Sequence, residues 1–395
     1  MTKNNFFFKY FISTLSIIII VYFSIYIYNY YSTNDILLHI PDSKFNNDQN
    51  EKVILKPNEI GDSIGGILNP LIGLVAAIFT FLAFLMQVFA NDEIKKQFTQ
   101  DKFENRIFKL MDIYNENISR FSFRSKQSGR IFTNKSSFPI LYGHFNTLIE
   151  DVNRFNNSNK ISFEEKITND YKENLLSRNK SSNLNNWVKL EFCYVLFFYG
   201  VGKKGRENIK AIFRNKYDSE YVNNVINYLS YKPAYMAHDY IYLQNWNKIF
   251  PEFENFSEPC LERFDRYYEG VQNNFGHYYR NLFAMINYLN KGKDFKYSEK
   301  WDFAKFFRSQ MSNHEQIFFF LNSISILGRA WELNVLVENN LKVENERLIT
   351  KYDLIKNISV AERELLEVEK FYPNVEYEYG FPTLYRKKLN KKIYK

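Results

Sequence analysis

Cysteine is nearly absent from this chain: Cys193 and Cys260 are the only two in 395 residues. So small a number excludes a disulfide framework, and without a CxxC pair it also excludes a cysteine-based zinc site. Histidine is almost as scarce. His39, His144, His238, His277 and His314 fall in no HExxH or HxH spacing, so no metal is expected. Glycine (14) and proline (9) are sparse as well. No P-loop, GxGxxG or GxSxG occurs, which removes the common nucleotide-binding and nucleophile-elbow classes and leaves no expected cofactor. Strict alternation of polar and apolar residues is rare and no repeat of 20–50 residues is present, which argues against a β-rich or solenoid fold. Aromatic residues, in contrast, are abundant: 39 Phe and 30 Tyr supply ample surface for a large core.

Charge is missing from two stretches near the N-terminus. Between Tyr10 and Asn34 there is none, and Phe11 to Tyr28 is apolar enough to cross a hydrocarbon layer of about 30 Å. The run is too long for the core of a secretory signal, and no small-residue cleavage site follows it. A second uncharged run extends from Ser63 to Asn91 and is also long enough to span. Gly61 with Gly65, and Gly73 with Ala77, put small residues four apart in or beside it, a spacing that lets helix backbones approach closely. Lys3 and Lys9 precede the first run, and Lys95, Lys96, Lys102, Arg106 and Lys109 follow the second. Positive flanks of this kind place both chain ends in the cytoplasm. The connection from 35 to 62 carries three Lys against six acids, which suits an outside loop. The predicted order is a cytoplasmic N-terminus (1–9), a first transmembrane helix (10–31), an external loop (32–62), a second transmembrane helix (63–90), an amphipathic helix leading from the membrane (91–118) and a helical cytoplasmic domain (119–395).

The charge removed from the spans reappears beyond them. Residues 92–395 carry a net +9, with acids and bases interspersed rather than blocked. That distribution ranks solvation first, the anionic membrane surface second and nucleic acid third as the meaning of the charge. Ile94, Phe98, Phe103, Ile107, Leu110, Met111 and Tyr114 recur at near-helical spacing, and later segments repeat the pattern, so the fold class is mostly α. Leu190 to Val201 is almost wholly apolar but only about a dozen residues long, which favours a buried core helix over a third span. Gly200, Gly202 and Gly205 would end it. Polar stretches at 119–137 and 153–186 read as loops.

Two stretches near the C-terminus resemble motifs. In the first, residues 273–292, Tyr278, Tyr279, Leu282, Phe283, Ile286 and Leu289 make an apolar helix face, and His277 and Arg280 lie three apart on its surface. In the second, Ser312 and Glu315 have the S-x-x-E spacing of a capping box, so one helix should end near Met311 and another begin at Asn313. Ser298 with Glu299 predicts the same kind of start for the earlier helix. Arg308 and His314 match the loose R-x(4 to 6)-H pattern of helical ribonucleases, in which a cation holds the phosphate and an imidazole moves the proton. They are the only catalytic candidates, and the spacing is common enough by chance that an enzyme is not the favoured reading. His277, Arg280 and Arg308 are also expected to come together, since the helices that carry them are joined by a short connection.

Several blocks in order resemble the phage abortive infection proteins of bacteria: the glycine-rich second span ending in Gln87, the helix from Phe103, GR-x-F at 129–132, FFYGVG at 197–202, GHYYRNLF at 276–283, FRSQMSNHEQIFFFLNSIS at 307–325 and KYDLIKNI at 351–358. The family's late blocks read like GHYFRNLY and RAQLSxxE followed by an apolar run and Asn. The matching positions are His277, Tyr278, Arg280, Arg308, Gln310, Ser312, Glu315 and Asn322; the chain departs at Tyr279, Ser309 and Met311, and His314 lies in the variable part. The two apolar runs and their flanks make the expected location the bacterial inner membrane, multi-pass; the resemblance implies a role in defence against bacteriophage by arresting or killing the infected cell. It supplies neither catalytic residues nor the phage-derived trigger. A homo-oligomer is expected, because two helices cannot line a pore. The alternatives are a membrane-tethered ribonuclease using Arg308 and His314, and a membrane scaffold or signalling protein outside defence.

Overall fold

A computed structural model describes residues 57–124, 130–180, 182–231, 270–333, 336–338, 341–343 and 346–379, together with ten positions between 14 and 29. The chain divides into two compact units, Met1–Lys102 and Phe103–Lys395.

In the first unit, Thr14, Ile17, Ile18, Val21, Tyr22, Ser24, Ile25, Tyr26, Tyr28 and Asn29 are helical and exposed. The other positions of the expected first span, and most of the loop after it, lie outside the described residues. Helix α1 runs from Pro57 to Ser119. Proline suits the first helical position, where its missing N–H costs nothing. Among the described residues one helix, not two, is long and apolar enough to cross a membrane, and it is the part of α1 that begins at Ile72. The amphipathic helix expected at 91–118 is the uninterrupted continuation of α1.

The second unit begins inside α1 at Phe103. From there Phe103, Ile107, Met111, Tyr114 and Ile118 are buried, the stripe that the spacing predicts. A short antiparallel ribbon follows, β1 (Ser122–Arg124) and β2 (Ile131–Thr133), in the register Ser122↔Thr133, Phe123↔Phe132, Arg124↔Ile131. The polar stretch read as a loop therefore contains strands too short to show a period. Helix α2 spans Ser137–Ser158. The second expected loop is corrected more heavily, because it holds α3 (Asn169–Arg178). Thr168 caps that helix by accepting the Tyr171 N–H at 3.4 Å, and Tyr171 and Leu175, one turn apart, are buried. Two apolar anchors in ten polar residues are too few to read as a helical face.

Helix α4 (Leu184–Tyr199) buries thirteen of its sixteen residues, as a core helix should. It ends at Gly200, whose φ of +73° suits glycine. The start of the next helix, α5 (Lys203–Phe213), approaches so closely that a Cβ on Gly205 would collide with the carbonyls of Tyr199 and Gly200. Helix α6 (Ser219–Tyr231) follows. After it come α7 (Gln272–Lys291), α8 (Tyr297–Gln310) and α9 (Asn313–Ile324). The N-cap of α8 is Lys296 rather than Ser298: Glu299 reaches back to the Lys296 N–H at 2.7 Å. Beyond α9 lie an antiparallel hairpin, β3 (Leu336–Glu338) and β4 (Leu341–Val343), and the short helices α10 (Leu348–Tyr352), α11 (Val360–Leu365) and α12 (Val368–Phe371).

Helices α4 and α9 form the centre, packed on each other and on α2. Phe318 of α9 stacks on Phe197 at 5.5 Å and meets Phe138, Phe145 and Phe275 edge-on or tilted. Each such ring contributes about 1.5–3 kcal/mol by leaving water. Trp187 of α4 donates its indole N–H to the Ile324 carbonyl at 2.9 Å, so the C-terminal end of α9 is tied by a polar bond as well as by packing.

Candidate functional site

The eight motif positions gather on α7, α8 and α9. At the start of α9 the Ser312 hydroxyl accepts the Glu315 N–H at 3.3 Å, and Glu315 accepts the Ser312 N–H at 2.7 Å. This is the reciprocal cap that the spacing predicts. Glu315 does more than cap. It is 0% exposed, and its other oxygen accepts the hydroxyl of Tyr114 from α1 at 2.8 Å and, at the longer distance of 3.5 Å, that of Tyr278 from α7. Burial, with the charge of Glu315 adding to it, pushes the Tyr114 phenol well above its ordinary value. Tyr278 moves the same way, by burial first. Both stay protonated donors, and one carboxylate joins three helices. Ser312→Ala should lower stability by about 0.5–2 kcal/mol, read by urea unfolding of residues 103–395; an unchanged midpoint would count against the cap.

Arg308 is 8% exposed. Its Nη1 donates to the carbonyls of Tyr352 and Asp353 at 3.1 and 3.2 Å, and its guanidinium lies 5.7 Å from the Trp301 ring centre. It thus satisfies orphan carbonyls at the end of α10. The Gln310 carbonyl accepts from Lys135, and the buried Asn322 amide donates to the Tyr194 hydroxyl at 3.2 Å. His314 is half-buried, with its ring 5.6 Å from that of Tyr142. Arg308 and His314 therefore face different neighbours. His277 and Arg280 are exposed and lie 3.4 Å apart, Nη2 to Nδ1. The structure brings these two together on the surface of α7 and puts Arg308 in a buried setting. Tyr278, Arg308, Ser312, Glu315 and Asn322 hold helices in place, whereas His277 and Arg280 lie at the surface.

Two acids, one buried and one half-buried, stand outside the motif positions. Glu191, on α4, pairs with Arg329 just after α9; they are 0% and 5% exposed. Glu191 also accepts the hydroxyls of Tyr171 and, at 3.0 Å, Tyr217, and the guanidinium lies over the rings of Tyr171 and Trp187. A lone acid in the run LEFCYVLFFYG was the available signal, since a carboxylate in a core helix needs a partner. Glu332 accepts both the N–H of Thr350, at 2.8 Å, and its hydroxyl, closing the base of the β3–β4 hairpin. Burial raises its carboxyl from 4.5 to about 7, and the Thr350 bonds offset only part of the rise. The folded state then binds this proton more tightly than the unfolded state, so stability falls as pH rises from about 4.5 to about 7. Glu332→Gln should remove a fall of about 3 kcal/mol. Urea unfolding of the two proteins at pH 5 and pH 8 checks it, and equal slopes would refute the assignment.

Gly61, Gly65, Gly73 and Ala77 all lie on α1. Among the described residues a Cβ at Gly73 would meet nothing within 4 Å, and one at Gly65 only the Asn69 amide at 3.5 Å. Among the described residues no three His, Cys, Asp or Glu side chains converge as a metal site would need.

No curated protein and no solved structure gives a match. A family model matches residues 270–362, which fold as α7, α8, α9, the hairpin, α10 and the start of α11. The stretch contains GHYYRNLF, most of the buried polar network and the exposed His277–Arg280 pair. The earlier blocks, from Gln87 to FFYGVG, lie outside it. Over that stretch the chain is similar to the family described as "Putative phage abortive infection protein".

Proposed function

We propose that this is a membrane-anchored antiphage defence protein acting by abortive infection: it arrests or kills the infected cell, and phage yield falls with it. The observation that carries the reading is the family match at residues 270–362, because an apolar helix and a basic helical unit fit many roles alone. In this reading α1 is an anchor, its apolar stretch from Ile72 being long enough to cross a bilayer. The first apolar run adds a second span, which leaves both termini on the cytoplasmic side of the bacterial inner membrane. The unit from Phe103 onward receives the infection signal. Its candidate contact for a phage-derived trigger is the His277–Arg280 pair, exposed on α7 and outside the network that binds the helices together. The membrane segments, associated as a homo-oligomer, carry out the damage.

The test is expression in a phage-sensitive bacterium, with plating efficiency, survival of infected cells and membrane potential followed together. A lower phage yield with infected cells failing to recover is expected. An unchanged yield would remove the reading, and a lower yield with full recovery of the cells would leave defence but remove abortive infection.

A further inference from the structure

Arginine carries its N–H donors in a fixed plane, and a buried one has to place all of them. Arg329, just after α9, is 5% exposed, yet among the described residues its hydrogen bonds are all made by one nitrogen. Nη2 donates to Glu191 and, at 2.7 Å, to the Tyr171 hydroxyl. Nε is buried and has no partner. The ring centres of Tyr171 and Trp187 lie 5.4 and 5.8 Å from the guanidinium carbon. Such rings stabilise the charge through their faces but accept nothing in the plane of the donors.

A second guanidinium reaches the same place from α3. Arg178 is half-buried; it donates through Nε to the Asn174 side chain at 2.9 Å and through Nη1 to the Leu333 carbonyl at 2.7 Å. Leu333 lies four residues beyond Arg329, so this bond holds Arg178 against the segment that carries Arg329. Among the described residues Nη2 of Arg178 has no bond. The two cations act on each other. Burial first, and then the charge of Arg329, disfavour the charged form of Arg178, while Tyr171 and Glu191 act in the opposite direction. Glu191 is the carboxylate that bears on both arginines, and it can neutralise only one of them. A surplus positive charge, half out of water and with open donors on both sides, is a setting for a counter-ion.

We propose that Arg178 and Arg329 bind a small oxyanion, a phosphate or carboxylate group, between α3 and the segment that leaves α9. Arg178 is the side open to solvent, and Arg329 is the buried side. Such an anion supplies at once the acceptors that the open N–H groups lack and the negative charge that Glu191 alone cannot provide. Bound there, it ties α3, of which only Tyr171 and Leu175 are buried, to the chain at Leu333. The site is separate from the His277–Arg280 pair and from the apolar stretch of α1, and it does not rest on the defence reading.

Thermal unfolding of the full chain in detergent tests it, run in chloride, acetate and inorganic phosphate at one pH and one ionic strength. The midpoint is expected to rise by about 2 °C or more over chloride in phosphate or in acetate, and the salt that raises it identifies the oxyanion. Phosphate also stabilises proteins generally, by exclusion from their surface, so the variants decide. Arg178→Gln should lose the rise. Arg178→Lys should keep a smaller one, because an ammonium retains the charge without the planar donors. Lys180→Gln, which removes an exposed cation two residues away, should keep it whole. Equal midpoints in the three salts would show that water meets the open donors. An equal rise in the parent and in Arg178→Gln would show that exclusion, not binding, produces it. Either result overturns the site.

Discussion

Arg329→Met is expected to destabilise the helical unit by about 3–5 kcal/mol, because it strands the Glu191 carboxylate in the core. Glu191 is 0% exposed on a helix that buries thirteen of its sixteen residues. The Tyr171 and Tyr217 hydroxyls that it accepts would remain, but they bring no positive charge. Arg329 itself has its pKa raised: burial disfavours its charge, and Glu191 with the surrounding phenols more than offsets that. The charged pair is therefore a matched unit whose two halves are costly alone. Replacing both, as Glu191→Leu with Arg329→Met, should cost less than either single change, since an apolar pair of similar volume avoids the desolvation of both ions. Urea unfolding of residues 103–395 and its three variants gives the cycle. A loss under about 1 kcal/mol in the single variants would show that water or rearrangement rescues the stranded charge.

The parts of this fold that could be read from sequence are those governed by a local rule. Ser312 and Glu315 announce the start of α9 because a cap is settled within four residues. The buried stripe from Phe103 to Ile118 and the apolar run of α4 were legible from period and length. Three features were not. The hairpin Ser122–Thr133 is held by pairing across a turn, with three residues per strand. Helix α3 is anchored by only Tyr171 and Leu175. The Glu191–Arg329 pair spans 138 positions, and nothing near either residue names the other. The motif positions show the same division. Spacing pairs His277 with Arg280, but it does not connect Arg308 with the carbonyls of Tyr352 and Asp353 to which it donates, 44 and 45 positions away.

Gly73→Leu should abolish protection against phage, returning plating to the level of cells that lack the protein, and so should deletion of residues 1–91. The two changes fail for one reason if the membrane segment is the effector. Among the described residues Gly73 has room: a Cβ there meets nothing within 4 Å, and leucine is a better helix former than glycine. Gly73→Leu accordingly disturbs no described neighbour, and a loss of function is expected where another helix approaches. At a close helix contact the larger side chain forces the backbones apart and removes the packing that drives association in lipid. Ile72→Leu, one position away on an exposed flank, is the matched control and should protect fully. The deletion removes the apolar stretch of α1 while sparing the buried core from Phe103 to Tyr377, so the fragment should still unfold cooperatively in urea. A signal received by that unit can reach the membrane only if it biases two states of the segment attached to it. Should the fragment 92–395 protect as well as the whole chain, the damage would have to come from a soluble activity. The Arg308–His314 nuclease would then be tested first, by RNA degradation with His314→Ala as its control.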